Sequence, residues 1–384
     1  MKFSIDQSLL KTALQRVLSV VDKKTPNPVL SNILMVVDPQ ELTLTSTNMD
    51  IAILEKLPLH LVEKTGAIVA PAHMLNDIVT RLPNGCEIQF EVESNELGQP
   101  LSTFKLSTDK LNYTLSYLEK NLFPDIRPSE YPWHFQMSAG QLRDVLNRSR
   151  FSMAEEEVRH FLSGVYLFPL KNQEDAIERP ELCAIATDGH RLAKITTPFA
   201  TALPDFPGII LPAKTTDVLC RLLASQEENI LLECDVSQTS LCVKFGSICL
   251  ISKLVNGQYP DYTLALPKGD IRKVHVSKDG LVRAADRMAI VADPILRAID
   301  AQISDNQLRF SVPGSKNGSG FEEISVVSEI DQIGTVFNAD YLIEAARHIK
   351  GDMIELQVID AESAIMLKGK DDGSALYVLM PIVS

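Results

Sequence analysis

The sequence predicts an α+β chain of three similar domains in a row, and three observations carry that reading. A strand–helix phrase occurs three times, at intervals of 132 and then 139 residues. A second phrase, strand–helix–strand, recurs between its copies. Positive charge gathers on the helices of a chain that is acidic overall.

The first phrase is Phe3-Ser4-Ile5-Asp6 followed by Leu10, Leu14 and Val17. It returns as Phe135-Gln136-Met137-Ser138 with Leu142 and Leu146, then as Val274-His275-Val276-Ser277 with Leu281 and Ala285. Alternating apolar residues make a short strand, Asp or Ser is the N-cap, and apolar residues four apart mark a helix running to about residue 24 in the first copy. The second phrase is Ile68-Val69-Ala70-Pro71-Ala72 with Leu75, Ile78 and Leu82, closing on Ile88-Gln89-Phe90-Glu91-Val92. Its later copies begin at Ile209-Ile210-Leu211-Pro212-Ala213 and at Val336-Phe337-Asn338-Ala339. Proline belongs in a first helical turn, where a missing N–H loses no helical bond.

Alternating runs at Leu42–Thr47, Phe104–Ser107, Leu308–Ser311 and Ile324–Val326 read as further strands. Loops are expected at Ser94–Gln99, Lys171–Pro180 and Pro313–Gly320, the last lacking the Gly-Lys-Ser/Thr ending of a phosphate cradle. Domains of 1–127, 128–264 and 265–384 follow, joined near Asp125–Tyr131 and Tyr262–Lys268.

Composition narrows the function. The 384 residues are 45% hydrophobic and 23% charged, an ordinary globular balance. Apolar runs such as Ile209–Leu211 and Ile248–Ile251 are far shorter than the ~18 residues of a membrane span, and Met1–Asp6 has no apolar signal core. A cytoplasmic protein without membrane contact is expected. The six cysteines include no Cys-x-x-Cys pair, so buried reduced thiols are expected, and seven scattered histidines add no metal motif. No cofactor or metal is called for. A net charge of −13 argues at first against nucleic acid. The six expected helices, however, carry a net +7, with Lys11, Arg16, Lys24, Arg143, Arg148, Lys214 and Arg283 among their cations, which leaves −20 for the rest. A basic helical surface would meet phosphates without reading bases.

At Ala186-Thr187-Asp188-Gly189-His190-Arg191-Leu192-Ala193 the chain resembles the bacterial DNA polymerase III beta subunits, the sliding clamps. Phe151-Ser152-Met153-Ala154, Ser252-Lys253-Leu254-Val255, Tyr259-Pro260-Asp261-Tyr262 and Tyr377-Val378-Leu379-Met380-Pro381 extend the likeness along the whole sequence. The resemblance implies three domains of the clamp fold per chain. Two chains join head to tail as a homodimeric ring, with helices lining the hole and sheets outside. Such a ring encircles double-stranded DNA irrespective of sequence and confers processivity with no catalysis of its own. Its implied partners are the polymerase III alpha subunit, the clamp loader, and other polymerases and repair proteins that dock through short linear motifs.

Carried over residue by residue, the implied peptide groove comprises Leu162, Thr187, Gly189, His190, Arg191, Leu192, Pro260, Asn338, Tyr341, Val378, Met380 and Pro381. Leu192, Val378, Met380 and Pro381 are expected to be its exposed apolar walls. Lys24, Lys214 and His73 correspond to DNA-contacting positions. Tyr113 and Leu115 of one chain would meet Ile290, Val291 and Leu296 of the other. Three departures stand out: Ile382-Val383-Ser384 replaces a basic terminus, Leu264 and Ala265 make one rim more apolar, and Glu155-Glu156-Glu157 adds carboxylates to a DNA-facing loop. Two other classes compete. A peptide-binding scaffold that rarely meets DNA would suit the acidic total, and a hydrolase could be imagined from Asp188, His190 and Ser252. The latter lacks a Gly-x-Ser-x-Gly elbow or paired catalytic carboxylates.

Overall fold

The computed structural model describes residues 1–94, 100–125, 130–155, 157–170, 180–199, 202–315 and 318–382. The tips of the expected loops at 95–99, 171–179 and 316–317, part of the first connector at 126–129, Glu156, Val383 and Ser384 lie outside the described residues.

Among the described residues are six α-helices: α1 (Gln7–Val17), α2 (Ala72–Arg81), α3 (Ala139–Ser149), α4 (Ala213–Ala224), α5 (Lys278–Ala289) and α6 (Ala339–His348). Each begins on the residue after a strand, as both phrases require. Local chemistry accounts for the starts. Asp6 Oδ1 accepts from the Ser8 and Leu9 amides at 2.8 and 3.1 Å, Ser277 Oγ from Gly280 at 3.4 Å, and Asn338 Oδ1 from Asp340 and Tyr341 at 2.9 and 3.2 Å. Pro71 is the N-cap of α2 and Pro212 ends the strand before α4, one position earlier than the sequence suggests. In α1 the buried stripe is Leu10, Ala13, Leu14 and Val17, the i, i+3, i+4, i+7 pattern of one helix face.

One boundary differs more. The helix expected to reach residue 24 ends at Val17, a 3₁₀ turn covers Leu18–Val20, and Lys23 and Lys24 stand exposed in the following loop. Branched Val17, Val20 and Val21 favour helix poorly, and burial of Val20 and Val21 turns the chain inward.

The chain gathers into two compact units, Met1–Gly140 with Asp217–Leu254, and Gln141–Thr216 with Val255–Ser384. The first holds a five-stranded sheet and an eight-stranded sheet that joins Ile51–Pro58 to Ile248–Lys253. The second holds a four-stranded sheet and a nine-stranded sheet that joins Arg191–Pro198 to Asp372–Leu379. Strand pairs in these sheets are antiparallel. Each large sheet therefore combines strands from neighbouring repeats.

Two cations of the expected basic surface turn inward instead. Arg148 is buried, its Nη2 2.5 Å from Asp372 and its Nη1 donating to Ser374 Oγ at 2.9 Å. Arg16 Nη1 lies 2.6 Å from Glu55 Oε1, whose side chain is only 1% exposed. A guanidinium offers five donors on a long apolar stem, so it can leave a helix face to neutralise a buried carboxylate. The other Glu55 oxygen has no partner. Burial pushes the Glu55 carboxyl above its ordinary value, partly offset by Arg16. The free cysteines match expectation, with Cys183, Cys220, Cys234 and Cys242 buried. Burial pushes the Cys183 and Cys234 thiols up to about 12, far from a reactive thiolate.

Because Glu55 loses its only ion-pair partner among the described residues in Arg16→Met, that variant should lose about 3–5 kcal/mol at neutral pH, and Arg16→Met with Glu55→Leu should regain most of it. A carboxyl whose folded pKa is raised contributes stability in its protonated form, fully below its unfolded value and lost as pH rises through the folded one. Removing Arg16 raises that folded value further. Urea melts should show the single variant's deficit shrinking from about pH 7.5 to about pH 4.5, and an equal deficit at both would contradict this account.

Candidate functional site

Strand pairing builds the site in the second unit. Thr187 pairs with Leu192, Leu192 with Val378, Val378 with Met366, and Met366 with Gln357, one row across five strands. Side chains alternate faces along a strand, so Leu192, Val378 and Met366 share a face with Ile185 and Leu376, while Ala193 and Tyr377 point the other way. Leu162 closes the 3₁₀ segment Glu157–Leu162 over this face, beside Tyr259 from the later connector. Tyr259 stacks on Tyr166 at 4.8 Å, with ring planes 4° apart.

Two of the expected apolar walls, Leu192 and Val378, are therefore not exposed. Leu162, Leu192 and Val378 are 4%, 3% and 2% exposed and form a floor. The reason is coverage: sequence shows the alternation but not the aromatic residues that lie across it. What reaches solvent is a rim of Gly189, His190, Pro260 and Met380, the last 46% exposed. Pro381 is partly buried, and the Ile382 amide donates to the Val336 carbonyl at 2.8 Å, tying down the end of the described chain. Leu264 is exposed, as the more apolar rim requires.

The turn between the first and second strands of the row is internally bonded. Thr187 Oγ1 donates to the Arg191 carbonyl at 2.7 Å and accepts from the Gly189 amide at 3.1 Å. Asp188 Oδ1 accepts from the His190 and Arg191 amides at 2.9 and 3.0 Å. Gly189 sits at φ +93°, a left-handed conformation that glycine adopts without a Cβ clash. The His190 carbonyl accepts from the Met380 amide at 2.9 Å, fastening the turn to the last strand.

Arg191 locks this turn to α6. Its Nε lies 2.9 Å from Asp188 Oδ2, its Nη1 bonds Glu344, and its guanidinium lies 4.3 Å from the Tyr341 ring centre and 5.4 Å from that of Phe151. Phe151 stacks in turn on His348 at 4.4 Å. Burial, and next the Asp188 carboxylate, push the Tyr341 phenol above its ordinary value. Arg191 is thus a brace for the rim. Asn338 is likewise spent on the cap of α6, with its Nδ2 donating to the Leu296 carbonyl at 3.0 Å.

No acid–base constellation emerges among the described residues. Asp188 is occupied by backbone amides and Arg191, the His190 ring faces Tyr341 at 6.4 Å, and Ser252 Oγ donates to the Lys253 carbonyl at 2.7 Å. No group of three or more His, Cys, Asp or Glu among them is placed to hold a metal, and no helix is long and apolar enough to cross a membrane.

The other expected contact residues lie as follows. Lys24 is exposed in the loop after α1, and Lys214 is exposed in the first turn of α4, where the helix dipole disfavours a cation. His73 lies in the first turn of α2 with Nε2 buried and unpartnered, so that nitrogen is turned away from solvent. Tyr113 and Leu115 belong to Asn112–Ser116, the edge strand of the five-stranded sheet, with Tyr113 exposed and Leu115 buried. Ile290 and Leu296 are 75% and 57% exposed and Val291 is partly buried, all just beyond α5. Sequence reasoning missed Ile295, 88% exposed, and Phe321 on Gly318–Ser325, an edge strand of the four-stranded sheet. It also missed Met366, Tyr166 and Phe151. Apolar character alone flags these, and only pairing and packing assign them to the site.

Three consecutive family models match: DNA polymerase III beta subunit, N-terminal domain over residues 1–126, central domain over 136–261, and C-terminal domain over 263–383. The beta sliding clamp of Pseudomonas putida is 31% identical over 384 residues, and that of Caulobacter vibrioides 28% over 382, each covering 100% of both chains. Among solved structures, the DnaN sliding clamp of Pseudomonas aeruginosa bound to griselimycin superposes with a TM-score of 0.92 at 29% identity, covering 100% of both chains. The C. crescentus beta sliding clamp gives 0.93 at 28% identity, covering 100% of this chain and 99% of that one.

Lysine at 191 keeps the charge but has neither the fork nor the flat face that Arg191 uses. Arg191→Lys should therefore lower stability by about 1–2 kcal/mol and speed amide exchange at residues 187–192. Arg347→Lys, at an exposed position of α6, should change stability by less than about 0.5 kcal/mol and leave that exchange unaltered.

Proposed function

The chain belongs to the DNA polymerase III beta-subunit family, the beta sliding clamps, and from that premise we propose how its surfaces divide the work. It is a non-catalytic DNA sliding clamp of the α+β clamp fold, and the family works as a dimeric ring. In this reading its domains are 1–127, 128–264 and 265–384, and it acts in the cytoplasm.

The rim and floor around Leu192, Val378 and Met380 serve as the docking groove for short peptides of the polymerase III alpha subunit, the clamp loader, and other polymerases and repair proteins. One observation carries this assignment: a single apolar row drawn from strands almost two hundred residues apart, bordered by an exposed methionine, histidine and proline. Such a floor with a few polar anchors suits a side-chain pocket. The Asn112–Ser116 edge of one chain, with Tyr113, meets the Ile290–Leu296 surface and the Gly318–Ser325 edge of its partner. Unpaired strand edges invite pairing, and isoleucines this exposed on a water-facing surface call for a partner.

DNA contact is left to few groups. With Arg16 and Arg148 committed to Glu55 and Asp372, the basic surface is thinner than the helix count implies. Lys24 and Lys214 then make weak contacts that are indifferent to sequence and sensitive to salt.

The clamp reading is tested by retention on circular DNA after loading, with release on linearisation. Lys24→Glu with Lys214→Glu should shorten residence on the circle while leaving the dimer intact. Deletion of Met380–Ser384 should abolish binding of a Gln-containing apolar peptide and stimulation of the polymerase, again with the dimer intact. Release from circular and linear DNA at the same rate would refute topological holding.

At the interface, Ile290→Ala with Ile295→Ala removes two exposed apolar side chains at roughly 1–2 kcal/mol each from both contacts of the ring, raising the dimer Kd on the order of 10³- to 10⁶-fold. Sedimentation at sub-micromolar concentration should then detect folded monomers, and an unchanged dimer would refute this surface.

A further inference from the structure

The first unit contains a second copy of the geometry that builds the groove. Thr47 Oγ1 donates to the Ile51 carbonyl at 2.9 Å and accepts from the Met49 amide at 2.9 Å. Asn48 Oδ1 accepts from the Asp50 and Ile51 amides at 3.1 and 2.8 Å. These are the bonds made by Thr187 and Asp188, four bonds for four. Lys253 donates to the Asp50 carbonyl at 2.8 Å, as Met380 does to that of His190. The row repeats as well, with Thr47 paired to Ala52, Ala52 to Ile251 and Ile251 to Cys242. Ala52 thus stands where the groove has Leu192, and Ile251 where it has Val378. The connector Phe123-Pro124-Asp125 answers to Tyr259-Pro260-Asp261.

Two features separate this copy from a structural echo. A cavity of about 140 Å³ opens over the row, walled by Leu34, Thr45, Ala52, Leu54, Phe123 and Ile251. The small Ala52 side chain leaves room that Leu192 fills in the other row. At the rim, Met49 replaces Gly189 at the left-handed position with φ +80°, and its side chain is exposed. An unbranched apolar side chain held out in a strained conformation is adaptable contact surface rather than core.

We propose that this cavity is a second peptide site, taking one phenylalanine side chain that lies beside a carboxylate. The size fits, since an apolar cavity of about 150 Å³ accommodates benzene. The carboxylate is called for by Lys120, which lines the cavity, is exposed, and forms no ion pair among the described residues, whereas Asp125, the carboxylate on the same wall, already interacts with another residue. A peptide is favoured because the repeated turn and row are those of the peptide groove, and the inference rests on that reading. The two sites differ in specificity: this one lacks the counterpart of the Arg191 brace, has a deeper floor, and selects by one ring and one charge.

The test is calorimetric titration of the full chain with the pentapeptide Gln-Leu-Glu-Leu-Phe bearing a free terminal carboxylate. The unaltered chain should bind two equivalents. Deletion of Met380–Ser384 should remove one and leave one, and in that background Ala52→Phe should remove the other. Lys120→Glu, which touches no core, should weaken the remaining site by about threefold or more, as should amidating the peptide. One equivalent on the unaltered chain and none after the deletion overturns the second site and leaves the groove standing. One equivalent that survives the deletion but is lost with Ala52→Phe supports the second site and sinks the groove. If Ala52→Phe does not fold, Lys120→Glu decides, and unchanged residual affinity overturns the proposal. Binding of benzoate but not of the peptide to the deleted chain also overturns it.

Discussion

Backbone pairing between Arg191–Pro198 and Asp372–Leu379 is the constraint on which the candidate site depends. An antiparallel ladder fixes register, and register fixes which side chains share a face. A slip of one residue would send Leu192 and Val378 to the side of Ala193 and Tyr377, where Tyr377 packs with Phe151. Hydrogen bonding of peptide groups thereby brings together apolar residues nearly two hundred positions apart. The Met380–His190 backbone bond extends the same ladder to the rim, so floor and edge are one mechanical piece.

Polar chemistry then makes the rim rigid without leaving it reactive. Gly189 admits the left-handed turn, Asp188 saturates its amides, and Arg191 spends its donors on Asp188 and Glu344 between aromatic rings. Charged groups that look catalytic in the sequence are mutually satisfied in the fold. The Thr47–Ala52 turn repeats the amide bonding without the arginine, which separates what the sheet needs from what the groove adds. The first is the turn itself, and the second is a brace to the following helix.

Electrostatics follows a similar division. Arg16 and Arg148 serve carboxylates in the interior, where an unpaired charge would be costly, while Lys23 and Lys24 occupy an exposed loop. A clamp that must move along DNA gains from few and exposed cations, because each added phosphate contact strengthens binding and its salt dependence.

Much of the fold was legible before any coordinates. Strand alternation, the Asp6 and Ser277 caps, and the spacing of the two phrases located the six described helices, since each signal acts within a few residues. The Thr187–Leu192 turn and the Tyr377–Pro381 ending also disclosed the family. Three matters were decided by tertiary structure alone. Leu162, Leu192 and Val378 became a floor because Tyr259 and Phe161 cover them. Arg16 and Arg148 left the basic surface because the buried Glu55 and the half-buried Asp372 carboxylates lay within reach. Met366 came beside Val378, and a cavity opened above Ala52, because strands from distant segments paired beside them. Local order is written in local sequence because capping and periodicity act over a turn or a strand. Exposure and partnership depend on which distant strands pair and what packs over them, and those contacts exist only after folding.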